Sequence, residues 1–264
     1  MRIGVYGLGR FGSFFAGLLA ARAEVKAFSR NPNHPAPPGV RRVGEEELLA
    51  MPAVCLCVDI GAMPEVLARI APRLPAGSLV LDTCSVKELP VRWMRELLPP
   101  EVDILATHPM FGPDSGARGV EGLPMILWPV RLGQERYREW EAFFASFGLA
   151  VHRLAPEEHD RQAAFTQGLT HYLGRVLAEL HLAPSAIGSV GYRRLLGIVE
   201  QTCNDTWRLF LDLQRFNPHT PEMRRALDQA LEALKAKLDT PQERGEGRGQ
   251  RAAPRQGGRP CQLI

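Results

Sequence analysis

The chain lacks any long apolar run: nowhere in its 264 residues does an uninterrupted segment approach the ~18 apolar residues that a membrane-spanning helix needs. One stretch mimics an export signal, with Arg2 ahead of apolar residues, but Gly7, Gly9, Arg10 and Gly12 interrupt it, so neither export nor insertion is expected. Charge of one sign is also scarce. A net charge of +3, much of it near the C-terminus, is too small to argue for nucleic acid as a partner. Cysteine is sparse and odd in number: Cys55, Cys57, Cys84, Cys203 and Cys261 have no metal-ligand spacing, so no metal is expected and the natural setting is a reducing, cytoplasmic one. No internal repeat is present. The 45% apolar content suffices for a core or two.

What is present begins at the N-terminus. Arg2 to Tyr6 reads as a buried strand and Ser13 to Ala20 as an amphipathic helix, and between them lies Gly7-Leu8-Gly9-Arg10-Phe11-Gly12. In that context the three glycines form a dinucleotide-binding turn: Gly7 for the bend, Gly9 for backbone approach to the pyrophosphate, Gly12 for close helix–strand packing. Arg10 and Phe11 fall within the phosphate-facing helix start. A second strand, Glu24 to Phe28, ends in Ser29-Arg30, where enzymes that prefer NAD carry an Asp or Glu for the ribose hydroxyls. Ser29 and Arg30 instead offer a hydrogen bond and a planar cation to a 2′-phosphate, which favours NADP; the plainer alternative is that Arg30 is a solvated loop residue.

Further strand-like runs at Ala53 to Val58, Ser78 to Asp82, Asp103 to Thr107, Pro124 to Trp128 and Ala150 to Leu154 are interspersed with helical stretches at Met63 to Ala71, Pro90 to Leu97 and Glu135 to Phe147. This alternation predicts an α/β fold with a doubly wound, mostly parallel sheet over residues 1–155. After Pro156 only helical patterns remain: a long helix from Glu157 to about Leu182, then Val190 to Thr202, Asp205 to Phe216, and Pro221 to Leu238 behind a Thr220 cap. Residues 156–239 are therefore expected to form an all-α domain. Its helices are too few to close a core of their own and carry long apolar faces, which predicts a homodimer. Residues 240–264, rich in Gly, Arg, Gln and Pro, are expected to be disordered, and their final Cys261-Gln262-Leu263-Ile264 superficially fits a prenylation box.

The chemistry-bearing residues follow the later strands, where ligands bind in doubly wound sheets. Asp82-Thr83-Cys84-Ser85-Val86-Lys87 follows one strand, and Thr107-His108-Pro109-Met110-Phe111-Gly112-Pro113-Asp114-Ser115-Gly116 the next. Ser85 and His108 would both reach one small-molecule hydroxyl. An imidazole suits a step in which an alcohol loses a proton and a hydride together; the alternative is that His108 merely ties its loop to backbone.

These residues, with Glu157-Glu158-His159-Asp160 and Gln167-x-x-Thr170-His171-x-x-Gly174-Arg175, resemble the prephenate/arogenate dehydrogenase family, most closely its short plant-type arogenate members, from residue 1 to about Asn217. The resemblance implies oxidative decarboxylation of arogenate to tyrosine, or of prephenate to 4-hydroxyphenylpyruvate, for which Ser29 and Arg30 point to NADP as the cofactor. It gives His108 the deprotonation of the ring hydroxyl, and Ser85 the holding of that hydroxyl and the orientation of His108. Gln167 and His171 lie four apart on one helix face and suit substrate binding, although His171 also fits an interface. His159-Asp160 reads as a tie for the helix start.

Two departures bear on specificity. Many bacterial prephenate enzymes carry a carboxylate-binding arginine about nine residues before a tryptophan; here, counting back from Trp207 reaches Ile198, leaving Arg175, Arg193 and Arg194 as replacements. Asp205 matches an acidic position that accompanies arogenate preference in the plant-type group, where it would pair with the substrate ammonium; alternatively it is only a helix N-cap. The remaining rivals are a β-hydroxyacid-type dehydrogenase, whose catalytic lysine has no counterpart between Glu157 and Leu182, and a non-catalytic NADP-sensing module.

Overall fold

Along the central strands, neighbouring side chains enter two different cores. Ile3, Val5, Cys55, Leu79, Leu81 and Leu105 pack into one; Tyr6, Val54, Leu56, Val80, Ile104 and Ala106 pack into the other. Strands covered on both faces must be apolar in consecutive residues, which is why these runs are continuous and do not alternate with polar residues. In the computed structural model, which describes residues 1–240, they form one sheet of eight strands in the order β3-β2-β1-β4-β5-β6-β7-β8. These are β1 (Arg2–Tyr6), β2 (Glu24–Phe28), β3 (Val40–Arg42), β4 (Ala53–Leu56), β5 (Leu79–Asp82), β6 (Asp103–Pro109), β7 (Pro124–Arg131) and β8 (Ala150–Arg153). Every pairing is parallel except β6 with β7.

Helices α1 (Arg10–Ala20) and α5 (Gln134–Ala145) cover one face through Phe15, Leu19, Tyr137, Trp140 and Phe144. Helices α2 (Glu45–Leu49), α3 (Met63–Ile70) and α4 (Glu88–Leu97) cover the other through Leu48, Leu49, Val66, Leu67 and Met94. The chain runs outward from β1 through β2 to β3 and then crosses back to β4, so a crevice opens beside the carboxyl end of β1. That is the Rossmann-type doubly wound arrangement. The short β3 and α2 carry too weak a pattern to stand out in the sequence.

After β8 the chain is helical: α6 (Pro156–Ala163), α7 (Leu169–Glu179), α8 (Val190–Cys203), α9 (Trp207–Phe216) and α10 (Thr220–Asp239). The continuous helix expected from Glu157 to Leu182 is instead broken by a π-helical turn at Ala164–Gly168. Such a turn frees backbone carbonyls, and Gln214 Nε2 donates to the Gly168 carbonyl at 2.9 Å while Gly174 lets α7 approach α8 so closely that an added Cβ would strike Thr202. The N-cap of α9 is Thr206, whose hydroxyl accepts from the Leu209 N–H, so Asp205 is not the cap. Among the described residues, 1–225 form one compact unit and the remainder of α10 with Thr240 belongs to a second. The expected disorder after residue 240 and the Cys261 motif lie outside the described residues.

One buried ion pair ties β5, β6 and the start of α4. Lys87 and Asp82, 1% and 0% exposed, form a salt bridge; Lys87 Nζ also donates to the Thr107 carbonyl at 2.5 Å, and Asp82 accepts from the Thr107 and Cys84 N–H groups at 3.1 and 3.0 Å. Removing one partner strands a charge away from water. Lys87→Met is accordingly expected to lower stability by roughly 3–5 kcal/mol, read as a lower urea midpoint at unchanged m-value.

Candidate active site

The glycine-rich turn shows which of its glycines the protein needs for itself. Gly7 sits at φ +110°, and a Cβ there would lie 2.2 Å from the Cys57 carbonyl oxygen; a Cβ on Gly12 would lie 2.0 Å from the Gly7 carbonyl oxygen. A Cβ on Gly9 would meet nothing within 4 Å. The chain after β4 therefore demands Gly7 and the packing of α1 against the turn demands Gly12, whereas Gly9 borders open space at the start of α1, where backbone N–H groups point outward. That open cradle fits a dinucleotide pyrophosphate. Phe11 stacks on Phe15 with ring centroids 5.4 Å apart and so anchors the helix start, while its backbone stays at the cavity.

Just after β2, Ser29 Oγ lies 3.4 Å from His34 Nδ1, and Arg30 lies 3.6 Å from Glu65, both of the latter largely exposed; neither Ser29 nor Arg30 lines the cavity that begins at Gly9. Arg42, which the sequence did not single out, holds the intervening loop by donating to the carbonyls of Ser29, Asn31, Pro32 and His34.

From Gly9 a cavity of about 690 Å³ extends past the ends of β4, β5 and β6 to the helical region. It brings together Gly9, Arg10, Phe11, Gly12, Ser85, His108, Gln167, His171 and Asp205, which lie far apart in sequence. Gln167 stands in the π-helical turn, and its Oε1 is buried without a hydrogen-bond partner, an acceptor left free beside the cavity. Thr170 and Gln201 also line it; Gln201 lies on α8 outside any motif, so only the fold reveals it.

Arg10, expected to face phosphate, spans two carboxylates: its Nη2 donates to Asp114 Oδ1 at 2.5 Å and its Nη1 to Asp205 Oδ1 at 3.1 Å. Hydrogen bonding by Arg10 holds the Asp114 carboxyl below the usual carboxylate range. None of the three arginines considered as carboxylate partners lines the cavity, and within residues 1–240 Arg10 is the guanidinium that does. Arg175 donates to the carbonyls of Thr202 and Asp205 and stacks over Trp207, and Arg193 donates to the Gly188 carbonyl. Burial holds His171 below the ordinary histidine range, with Asp205 opposing the shift.

His108, 2% exposed on β6, is oriented by a residue other than Ser85. Its Nδ1 lies 2.8 Å from Nε2 of His159, and His159 Nδ1 lies 2.8 Å from Asp160 Oδ1. Ser85 shares the cavity with His108 but makes no hydrogen bond to it. Asp160 also accepts from the N–H groups of Lys87 and Glu88 at 2.7 and 3.0 Å, so it caps α4 from across the fold, where a helix N-terminus favours negative charge. His159-Asp160 thus does not tie the start of its own helix α6, which has no side-chain cap; Asp160 ties the start of α4 instead, and His159 reaches the imidazole at the cavity wall. Burial, then the neighbouring His159 and Lys87, hold His108 well below the ordinary histidine pKa, which leaves it neutral and able to take a proton near pH 7.

Comparison with known proteins bears on the family and the fold. Residues 41–139 match the family model for the prephenate dehydrogenase nucleotide-binding domain, and residues 176–251 that for the TYRAAT1-like C-terminal domain. The chain is 39% identical to Arabidopsis thaliana arogenate dehydrogenase 2 (chloroplastic) over 191 residues, covering 70% of this chain and 53% of the relative. It is 34% identical to Arabidopsis thaliana arogenate dehydrogenase 1 (chloroplastic) over 250 residues, covering 90% and 39%. The chain thus spans only about half or less of the length of these relatives. Among solved structures, the prephenate dehydrogenase of A. aeolicus in complex with hydroxyphenyl propionate and NAD+ superposes with a TM-score of 0.72 at 17% identity, over 90% of each chain. The arogenate dehydrogenase of Synechocystis superposes with a TM-score of 0.64 at 20% identity, over 90% of this chain and 94% of that one. At such identities the superpositions speak for the fold.

The environment of His108 sets a pH dependence. A histidine whose folded pKa lies below its unfolded value of about 6.5 contributes stability that is complete above that value and lost as pH falls towards the folded pKa, because the unfolded chain takes the proton first. The His108 ring resonances are expected to stay in the neutral position from pH 8 down to about 6, checked by NMR titration; a midpoint near 6.5 would contradict the burial argument.

Proposed function

The chain belongs to the prephenate/arogenate dehydrogenase family, and on that premise we propose that it oxidises and decarboxylates arogenate to tyrosine. The observation that carries this reading is the placement of a buried, neutral imidazole, His108, in the same cavity as the open Gly9 cradle. Nicotinamide, when bound, supplies the acceptor for the hydride that leaves the carbinol carbon. His108 takes the hydroxyl proton, so that the C–O bond becomes a carbonyl as the hydride departs. The bond between the ring and its carboxylate then breaks, CO2 leaves, and the released electron pair aromatises the ring. The proton returns to the phenolate oxygen, so His108 serves first as base and then as acid. Ser85 holds the hydroxyl, and Gln167 and His171 bind the rest of the substrate from the helical side.

Asp205 supports the choice of arogenate. Two carboxylates, Asp114 and Asp205, share one guanidinium at the cavity, so the region keeps a negative excess that attracts the ammonium of arogenate and repels the keto acid of prephenate. Ser29 and Arg30 support NADP as the cofactor, with the 2′-phosphate displacing Glu65 from Arg30. A cytoplasmic, or at least reducing, location accords with the unpaired thiols of Cys55, Cys57, Cys84 and Cys203; no helix among the described residues is long and apolar enough to cross a membrane. We further propose a homodimer joined through the helical region, where Val176, Leu180, Ile187 and Val190 are 46%, 62%, 94% and 58% exposed. An apolar patch of this kind is costly to leave in water. Light scattering at micromolar concentration is expected to give twice the chain mass, and a monomer would overturn this assembly.

Steady-state kinetics with both substrates and both cofactors tests the catalytic reading. kcat/KM is expected to favour arogenate over prephenate by about ten- to a hundredfold, equivalent to a charge-assisted contact of roughly 1.5–3 kcal/mol, and NADP over NAD. Asp205→Asn should shrink the substrate ratio, and His108→Ala should lower kcat by roughly 10²–10⁴ with NADP affinity nearly intact. Equal use of the two substrates by the unmodified protein would overturn the assignment to arogenate.

A further inference from the structure

The family reading uses His108 alone as the base, yet the structure connects it to two more titratable groups from a different part of the chain. His108 belongs to β6 and His159-Asp160 to α6, and the three side chains lie in one buried line with successive separations of 2.8 and 2.8 Å. The Asp160 carboxylate also accepts from the N–H groups of Lys87 and Glu88 at the N-terminus of α4, where a carboxylate is held ionised. It has no proton to donate, so His159 donates to it from Nδ1 and presents a bare Nε2. His108 must then donate from its own Nδ1. The only ring nitrogen left with a lone pair is Nε2, and His108 lines the cavity.

We propose that His159, held by Asp160, is a positioning residue for His108: it fixes the tautomer whose Nε2 is free to accept the substrate proton, and it takes up the Nδ1 proton as that transfer occurs. This rests on the reading of His108 as the base. In the step, the substrate O–H bond breaks and a bond from Nε2 of His108 to that proton forms. The Nδ1 proton of His108 passes to Nε2 of His159, which returns His108 to a neutral ring and leaves the positive charge on His159, against the Asp160 carboxylate. Proton return to the phenolate reverses both transfers.

The surrounding charges fit this assignment. Lys87 is a cation whose charge acts on both rings, and that charge is met by Asp82. Glu88, facing the same carboxylate, is raised above its usual pKa by burial and by Asp160, and pairs with His219. Asp160 is therefore the carboxylate in direct contact with the pair, and a buried imidazolium needs such a partner. Without it, the desolvation that keeps His108 neutral would also make its protonated form too costly to use.

The test uses the full-length protein labelled with ¹⁵N-histidine and free of cofactor, near pH 7.5. The ¹⁵N spectrum should show His108 protonated at Nδ1 and bare at Nε2. His159→Gln, which keeps an acceptor at about the position of Nε2, should preserve that tautomer and part of the activity. His159→Phe should give a mixed or inverted His108 tautomer and lower kcat by at least about tenfold, with KM for NADP within about twofold of the unmodified protein. If the unmodified protein failed to turn over arogenate, the substrate reading would fall, while the spectra would still decide the tautomer. His108 protonated at Nε2 in the unmodified protein, or an unchanged tautomer and kcat in a folded His159→Phe protein, would overturn the proposal.

Discussion

A single buried carboxylate, Asp160, holds the parts of the site in register. It caps α4 through the N–H groups of Lys87 and Glu88, grips His159 through Nδ1, and through its own backbone carbonyl accepts from Asn217 Nδ2 at 2.8 Å. The nucleotide-binding sheet, the first helix of the helical region and the segment before α10 all meet at this residue. Burial of such a group is tolerable only because both carboxylate oxygens find donors. The same satisfaction makes the arrangement rigid, since any shift of α6 against α4 would leave a charge unpaired.

Next to that junction the Lys87–Asp82 pair joins β5 to β6, and with it the loop bearing Ser85 to the strand bearing His108. The two loops that close the cavity are therefore set by buried charge, whereas the opposite wall is set by steric necessity. There, Gly7 and Gly12 allow α1 to start directly against β1 and the end of β4. The π-helical turn at Ala164–Gly168 supplies the third wall, and Gln214 stabilises it from α9. Each wall thus has a separate physical cause, and their convergence leaves a cleft of about 690 Å³ between a dinucleotide-type cradle and a set of polar side chains.

The legible part of this arrangement was the part whose signals are local. Continuous apolar runs mark doubly covered strands, and the strand-turn-helix spacing marks the turn, in which Gly12 is required by the Gly7 carbonyl five residues earlier; the contact that requires Gly7, with Cys57, is not local. His108 stood out because an imidazole followed by a proline- and glycine-fixed loop at a strand end is a local pattern too. His159-Asp160 was visible as a motif but was assigned only a structural tie, because nothing near residue 159 reveals that a strand ending fifty residues earlier passes within hydrogen-bonding distance. Ser85 shares the cavity with His108 without a hydrogen bond to it, whereas His159 contacts it: proximity in motif order is not contact. Asp205 was weighed as a helix cap, and only the backbone shows that Thr206 takes that place and that Asp205 reaches Arg10.

Local composition and periodicity alone thus dictated the doubly wound sheet, the glycine turn and the switch to helices after β8, since each follows from interactions within a few residues or from which faces must be buried. The partners of the polar side chains were dictated by the packed chain. Hydrogen bonds and ion pairs between residues fifty to two hundred apart depend on how α6, α8 and α9 lie against the sheet, and that placement is a property of the whole buried core, which no single segment encodes.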